Sequence, residues 1–462
     1  MAILDATIVN VALPSIQSNL HASPASIEWI VSGYLLAFGL VLVPAGRLGD
    51  RIGHKPIFLV GITAFTGASI ACGLSPNDHV LVGARIVQGF SAGLFGPSVQ
   101  ATIQLTFRGP ARSRAFGILG TMVGVSSALG PILGGVILQI AGSASGWRWI
   151  FFVNVIVGIV AVPMAIKLIP NRRPMIKHHS DGIGLALITI GLLAIFVPLI
   201  EGQTLDWPNW TFETMIGSLP VFLILAWWES KLAKKGGEPI IDPRLVSHGA
   251  FSAGTLAAMA YFGAFSSLFV VLSLLWQTGL GRSPLAAGLT MTPFAIGTLI
   301  SGSISDRFSA RMGRSVLTLG SWLLVISLVS VAVILRLDGA NPDSLALSIP
   351  LFIGGFGNGI FIAPNQDFIL KTVLRSQAGT AAGLLQTSQR IGSALGVACT
   401  ATLFFSSVHY STNKEIRALS FERGASISLL ANLAFIGLVL IILHRIPKDR
   451  DSFQLNPTSA ST

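Results

Sequence analysis

Charge is what this chain most lacks: Asp, Glu, Lys and Arg make up 11% of 462 residues, while 52% are hydrophobic. A soluble chain of this length needs far more polar surface to cover itself, which argues against a water-soluble enzyme or binding domain. Cysteine is nearly absent. Cys72 and Cys399 both lie inside apolar runs without metal-ligand spacing and read as buried small hydrophobes. No GxxxxGK[ST] stretch occurs, so nothing points to ATP hydrolysis by a P-loop. GGFGNG (354–359) sits inside an apolar run and reads as packing, not as a dinucleotide loop. His178 and His179 have only Asp181 near ligand spacing and read as loop residues. Neither a metal nor a cofactor is expected. No basic region or small-residue cleavage site marks a signal peptide at the amino end.

What is present is apolar sequence in long runs. Mean hydropathy is +0.73, and runs of about 20 residues are long enough to cross a hydrocarbon core. The fold class expected is an all-α polytopic membrane protein with 14 transmembrane helices. The apolar segments lie near 1–18, 27–46, 56–75, 78–106, 113–141, 147–169, 182–200, 212–229, 249–276, 284–304, 314–335, 345–369, 377–405 and 425–444. With the amino end inside, twenty-two of the 30 Lys and Arg fall in inside loops and the tail. Six fall outside (Arg148, Arg282, Arg336, Lys414, Arg417 and Arg423), and Arg85 and Arg390 fall within helices. That bias predicts a cell-membrane protein with both termini cytoplasmic. It also accounts for the net charge of +11 as topology, without a nucleic-acid partner. The first segment is short, roughly 25 Å of helix, and lacks a basic flank. The natural chain is expected to begin upstream of Met1.

A second level of order is duplication. GRLGDRIGHKP (46–56), a charged turn between two apolar runs, recurs as GSISDRFSARMGR (302–314), so that Asp50 and Arg51 align with Asp306 and Arg307. GLFGPSVQATI (93–103) resembles GIFIAPNQDFI (359–369), and SSALGP (126–131) resembles GSALGV (392–397). The expected domains are an N-terminal six-helix half (1–170), a linker with an inserted two-helix hairpin (171–247), a C-terminal six-helix half (248–446) and a cytoplasmic tail (447–462). Two parallel six-helix repeats describe a rocking transporter with a midplane site. The bland alternative for the turn is an ordinary loop that retains the chain inside.

Polar groups in hydrocarbon are costly and mark candidate function. Asp5 lies in LDATIVNVALP. Low dielectric penalises its ionised form, which suits a proton carrier; if Met1 is the start, a cap at the inner surface is an equal reading. Arg85 needs acceptors or an acid. Gln88 follows one turn on, and Asn10 and Asp5 are placed to face it across the bundle; a structural clamp is the alternative. In the second half Asn358, Gln386, Gln389 and Arg390 form a comparable patch. Together with Asn10 and Gln88 these line the expected substrate cavity. Asp367 lies near Lys371 and reads as a surface ion pair. GTMVGVSSALGPILGG spaces Gly120 with Gly124 and Gly130 with Gly134 for close helix approach, and Pro131 bends the helix. Gly135 completes the run.

These four stretches (LDATIVNVALP, GRLGDRIGHKP, the Arg85 helix and GPILGG) resemble the major facilitator superfamily, specifically its fourteen-helix drug:proton antiporter group, essentially end to end. The resemblance implies proton-coupled efflux of lipophilic, often cationic compounds, with proton coupling through Asp5 and Arg85. It implies a gating turn of Gly46, Asp50, Arg51 and Gly53, with Asp50 latched through basic partners such as Arg112 and a second copy at Asp306 and Arg307. Ser309 stands where Gly53 stands in the first copy, implying a looser latch there. The partners implied are small-molecule substrates, protons and lipid; no accessory efflux component is specified. A transporter of a defined metabolite is the alternative within the fold, and a non-transporting membrane sensor or assembly partner the alternative outside it.

Overall fold

A computed structural model describes the chain apart from residues 143–144, 172–180, 203–204, 206, 236, 238, 340–342, 372, 409–413 and 446–462. The expected tail 447–462 and His178 and His179 lie outside the described residues. Among the described residues there is no strand. The first six helices are α1 (Ala2–Leu20), α2 (Pro24–Ile52), α3 (His54–Gly73), α4 (Asp78–Thr106), α5 (Gly109–Ala141) and α6 (Trp147–Leu168). A hairpin follows, α7 (Gly182–Glu201) and α8 (Asn209–Lys234), then a short α9 (Pro243–Ser247). The rest comprises α10 (Gly249–Leu274), α11 (Pro284–Thr290), α12 (Thr292–Met312), α13 (Ser315–Asp338), α14 (Ser348–Lys371), α15 (Ala378–Ser407), α16 (Lys414–Ala431) and α17 (Leu433–Arg445).

Local chemistry sets many of these boundaries. Ser23 caps α2, its hydroxyl accepting from the Ser26 amide at 3.1 Å, with Pro24 in the first turn where its missing N–H costs nothing. Asn77 caps α4 and Asp181 caps α7 in the same manner. Asp181 also accepts from the Trp228 indole at 3.0 and 3.1 Å, tying α7 to α8.

Two expected spans are interrupted, so the helices do not number fourteen one-for-one. Segment 284–304 breaks at Met291 because Pro293, in the first turn of α12, has no amide to continue the ladder. The last segment starts earlier than its apolar run, at Lys414, and breaks at Asn432. There the Asn432 side chain accepts from Thr400 on α15 at 2.9 Å. Among the described residues, ten helical rods are long and apolar enough to cross a membrane by length and composition. α1, α14 and α15 are not among them. They carry Asp5, the Asn358–Asn365–Gln366 series and Gln389, all buried, so their polar faces look into protein and do not need to match lipid.

α1 to α6 pack chiefly on one another, as do α10 to α17. Two seams join the sets: α2 lies along α15, and α5 lies along α12 and α14. The α7–α8 hairpin rests on α2 and α15, where Ile188, Leu192 and Phe196 pack on Val43, Leu40 and Leu384.

Candidate functional site

Three clusters gather the residues singled out by sequence. The first is built around Asp5. Its carboxylate accepts from the Arg85 guanidinium, from Gln88 Nε2 at 3.0 Å and from Asn154 Nδ2 at 2.6 Å. Arg85 also donates to Gln88 Oε1 at 2.8 Å and to the Ile30 carbonyl at 2.9 Å, and its guanidinium lies 4.2 Å from the Tyr34 ring centroid. Ser69 accepts from Gln88 and Asn154 and donates to the Phe151 carbonyl. Asp5, Ser69, Arg85, Gln88 and Asn154 are all at most 1% exposed. Burying two charges is tolerable only when they pair and their remaining donors and acceptors are met, which is the arrangement here.

Sequence placed Asp5, Arg85 and Gln88 together, and they are together. It also placed Asn10 against Arg85; Asn10 is exposed and takes no part in this hydrogen-bonded network. The position falls instead to Asn154 on α6. Its signal was a lone amide within the apolar run WIFFVNVIVG. Tyr34 carried no comparable signal.

The second cluster is the charged turn. Asp50, 7% exposed, accepts from the amides of Gly379 and Thr380 and from the Thr380 hydroxyl, each at 2.8 Å. His54 Nε2 lies 3.2 Å from the same carboxylate. The expectation of a basic partner, Arg112, is therefore corrected. The partner is the start of α15, whose own cap residue Gln377 makes no side-chain cap bond. Unpaired amides and the positive end of the helix dipole attract a carboxylate there. Gly46 and Gly379 touch backbone to backbone, and a Cβ on either would collide. Gly53 ends α2 at φ 103°, which L side chains rarely adopt. Arg51 is exposed.

Arg112 belongs to the third cluster. It donates to Asp367 at 2.7 Å, as does Ser113, with Lys371 at 3.0 Å. Asp367 is 2% exposed, so it is an interior contact between α5 and α14 and not a surface pair. Gln104 joins it, accepting from Arg112 at 3.3 Å and donating to the Leu370 carbonyl. In the second copy of the turn, Asp306 accepts from the backbone amide of its neighbour Arg307 at 2.9 Å and lies 3.8 Å from Arg114, and the Arg307 side chain is exposed.

The α5 glycines divide by neighbour. Gly130 and Gly134 face Thr7, Ile8 and Val11 of α1, and a Cβ on Gly130 would collide with Thr7. Gly124 faces Thr298 of α12, Gly120 faces Ala363 of α14, and Gly135 faces Leu285 of α11. The side chain of Pro131 lies outside the described residues. In the C-terminal set Asn358 donates to Thr298 at 3.4 Å, Gln389 is buried, and Gln386 and Arg390 are partly buried.

A model of the Major Facilitator Superfamily matches residues 1–397. The chain is 33% identical over 409 residues to a probable actinorhodin transporter of Streptomyces coelicolor, covering 88% of this chain and 70% of that one. It is 32% identical over 417 residues to a tetracenomycin C resistance and export protein of Streptomyces glaucescens, covering 88% and 74%. Among solved structures, a proton:xylose symporter superimposes with a TM-score of 0.62 over 94% of this chain and 93% of that one, at 12% identity, a likeness of fold alone.

Proposed function

Because the chain belongs to the Major Facilitator Superfamily, and so is a multi-pass membrane transporter of small molecules and not an enzyme, we propose that it is a proton-driven exporter of lipophilic organic compounds from the cytoplasm. The relative named for tetracenomycin C resistance and export supports the direction, and it and the relative named for actinorhodin transport support an organic compound as substrate. The observation that carries proton coupling is the buried Asp5–Arg85 pair with its amide partners. In this reading α1–α6 and α10–α17 are the two halves that rock, with boundaries near 170 and 248, and the α7–α8 hairpin is the insertion between them. Fourteen crossings, both termini cytoplasmic and a plasma-membrane location complete the reading.

One proton falling through 100 mV releases about 2.3 kcal/mol, enough to drive roughly fortyfold accumulation at one proton per substrate. Ionised Asp5 holds Arg85, Gln88 and Asn154. Neutralising it frees the guanidinium to find other acceptors, so the proton-loaded and empty states favour different helix positions. The test is substrate efflux from proteoliposomes under an imposed pH gradient. Asp5→Asn and Arg85→Ala are expected to abolish gradient-driven efflux while downhill movement persists. Gradient-driven efflux at the wild-type rate in both variants would reduce the network to a structural clamp. Topology is read separately: a thiol-directed probe should reach Asp343→Cys only from outside and Lys234→Cys only from inside.

A further inference from the structure

We propose that Arg390, where α15 meets α2 and α4, is the charge partner of a bound planar aromatic anion. This deepens the export reading and rests on it only for the movement of the bound compound. The interior holds two arginines, and they are treated oppositely. Arg85 is 1% exposed and its charge is met by Asp5. Arg390 stands about 18 Å along α15 from Ala378, at 1.5 Å per residue, deep within the thickness of a hydrocarbon core. Among the described residues no carboxylate pairs with it. Its guanidinium lies 4.5 Å from the Phe38 ring centroid and is only partly buried, so one side of it is open. A guanidinium does not discharge by losing its proton, and an intramembrane cation without an acid is costly enough to mark a ligand pathway.

The neighbours point the same way. Gln386, one turn below Arg390, has its Nε2 buried without a hydrogen-bond partner. Its Oε1 sits against Gly96 of α4: a Cβ there would lie 2.9 Å from Gln386 Oε1 and 3.7 Å from Phe38. One spot therefore presents a fixed cation, an amide without a partner, an aromatic ring and a bare backbone. A carboxylate or phenolate matches the guanidinium fork, and the Phe38 ring beside it favours an aromatic one. A cation finds no free acid here, because Asp5 is held by Arg85 and Asp367 by Arg112 and Lys371. The cationic substrates implied by the sequence resemblance are thus disfavoured at this site. The site also adjoins the Asp5 network: Arg85 lies over Tyr34, and the Tyr34 and Phe38 rings are 6.1 Å apart.

The test uses the full-length protein in lipid nanodiscs and two fluorescent probes of one ring and opposite charge, 2-naphthoate and 2-naphthylmethylammonium. Wild type should bind 2-naphthoate at least tenfold more tightly than the ammonium. Arg390→Gln should weaken 2-naphthoate at least tenfold without weakening the ammonium, and Arg390→Lys, which keeps the charge, should retain most of the preference. Should Arg390→Gln fail to assemble, the wild-type and Arg390→Lys preferences still decide. Equal or tighter binding of the ammonium by wild type, binding of neither probe, or unchanged 2-naphthoate binding in Arg390→Gln would overturn the assignment. Anion binding without gradient-driven efflux would sink the export reading and leave this site standing; efflux with a preference for the ammonium would do the reverse.

Discussion

The two copies of the charged turn share a sequence pattern and make different contacts. At the α2–α15 seam, Asp50 is buried and caps a helix of the opposite set through three bonds of 2.8 Å. At the α5–α12 seam, its counterpart Asp306 meets one arginine side chain, Arg114, at 3.8 Å, and that side chain is 69% exposed. The cause is local. Gly53 stops α2 at φ 103° one turn after Asp50. Ser309 occupies that place in the second copy, and α12 runs on to Gly313, at φ 57°. The second seam is instead held by Asp367, outside the repeated turn, with Arg112 and Ser113. The repeated pattern has two acids at equivalent places; the one followed by the helix-ending glycine reaches the backbone of the opposite helix set.

The sharpest way to break this contrast is Asp50→Asn. Losing charge-assisted bonds to two amides should cost the closed seam about 2 kcal/mol, or about thirtyfold in the closed-to-open ratio. Spin labels at positions 51 and 374 should report the added open population, and efflux should fall at least tenfold with normal membrane insertion. Wild-type distances and full transport would return the turn to a merely topogenic role. Asp367→Asn comes next. It leaves Arg112 a neutral acceptor and Gln104, so about 1–2 kcal/mol should be lost at the other seam, read between labels on α5 and α14. Thr380→Ala removes one of the three bonds to Asp50 and should cost about 1 kcal/mol, with the two amide bonds kept. Combined with Asp50→Asn it should be strongly non-additive. The smallest effect belongs to Asp306→Asn, an exposed pair contributing at most about 0.5 kcal/mol. A tenfold transport loss in this variant would erase the distinction between the copies.

Much of the candidate site was legible because hydrocarbon makes polar residues conspicuous. Asp5, Arg85 and Gln88 stood out in apolar runs and meet in one network. Asn154 was equally conspicuous but could not be assigned a partner, since α6 and α1 are distant in sequence. The partner of Asp50 was illegible for another reason. It is two backbone amides, which every non-proline residue has, exposed only because α15 lacks a cap of its own. Asp367 pairs with Lys371 as its spacing suggested, but the sequence could not show that it is buried and also meets Arg112, which arrives from the other helix set.

By itself the sequence determined the membrane setting, the helical class, the repeated charged turn and which polar residues would be too costly to leave unpaired. Each of these follows from composition, run length or local spacing, quantities that one strand of text contains. Only the tertiary structure decided the other pairings: that Asp5 also takes Asn154, that Asp50 caps α15, and that Arg112 turns to Asp367. Among the described residues it also placed no carboxylate against Arg390. Such choices depend on which helix faces lie within about 3 Å of one another. That distance is set by glycine contacts, helix ends and the packing of α2 on α15 and α5 on α14, none of which is local in the chain.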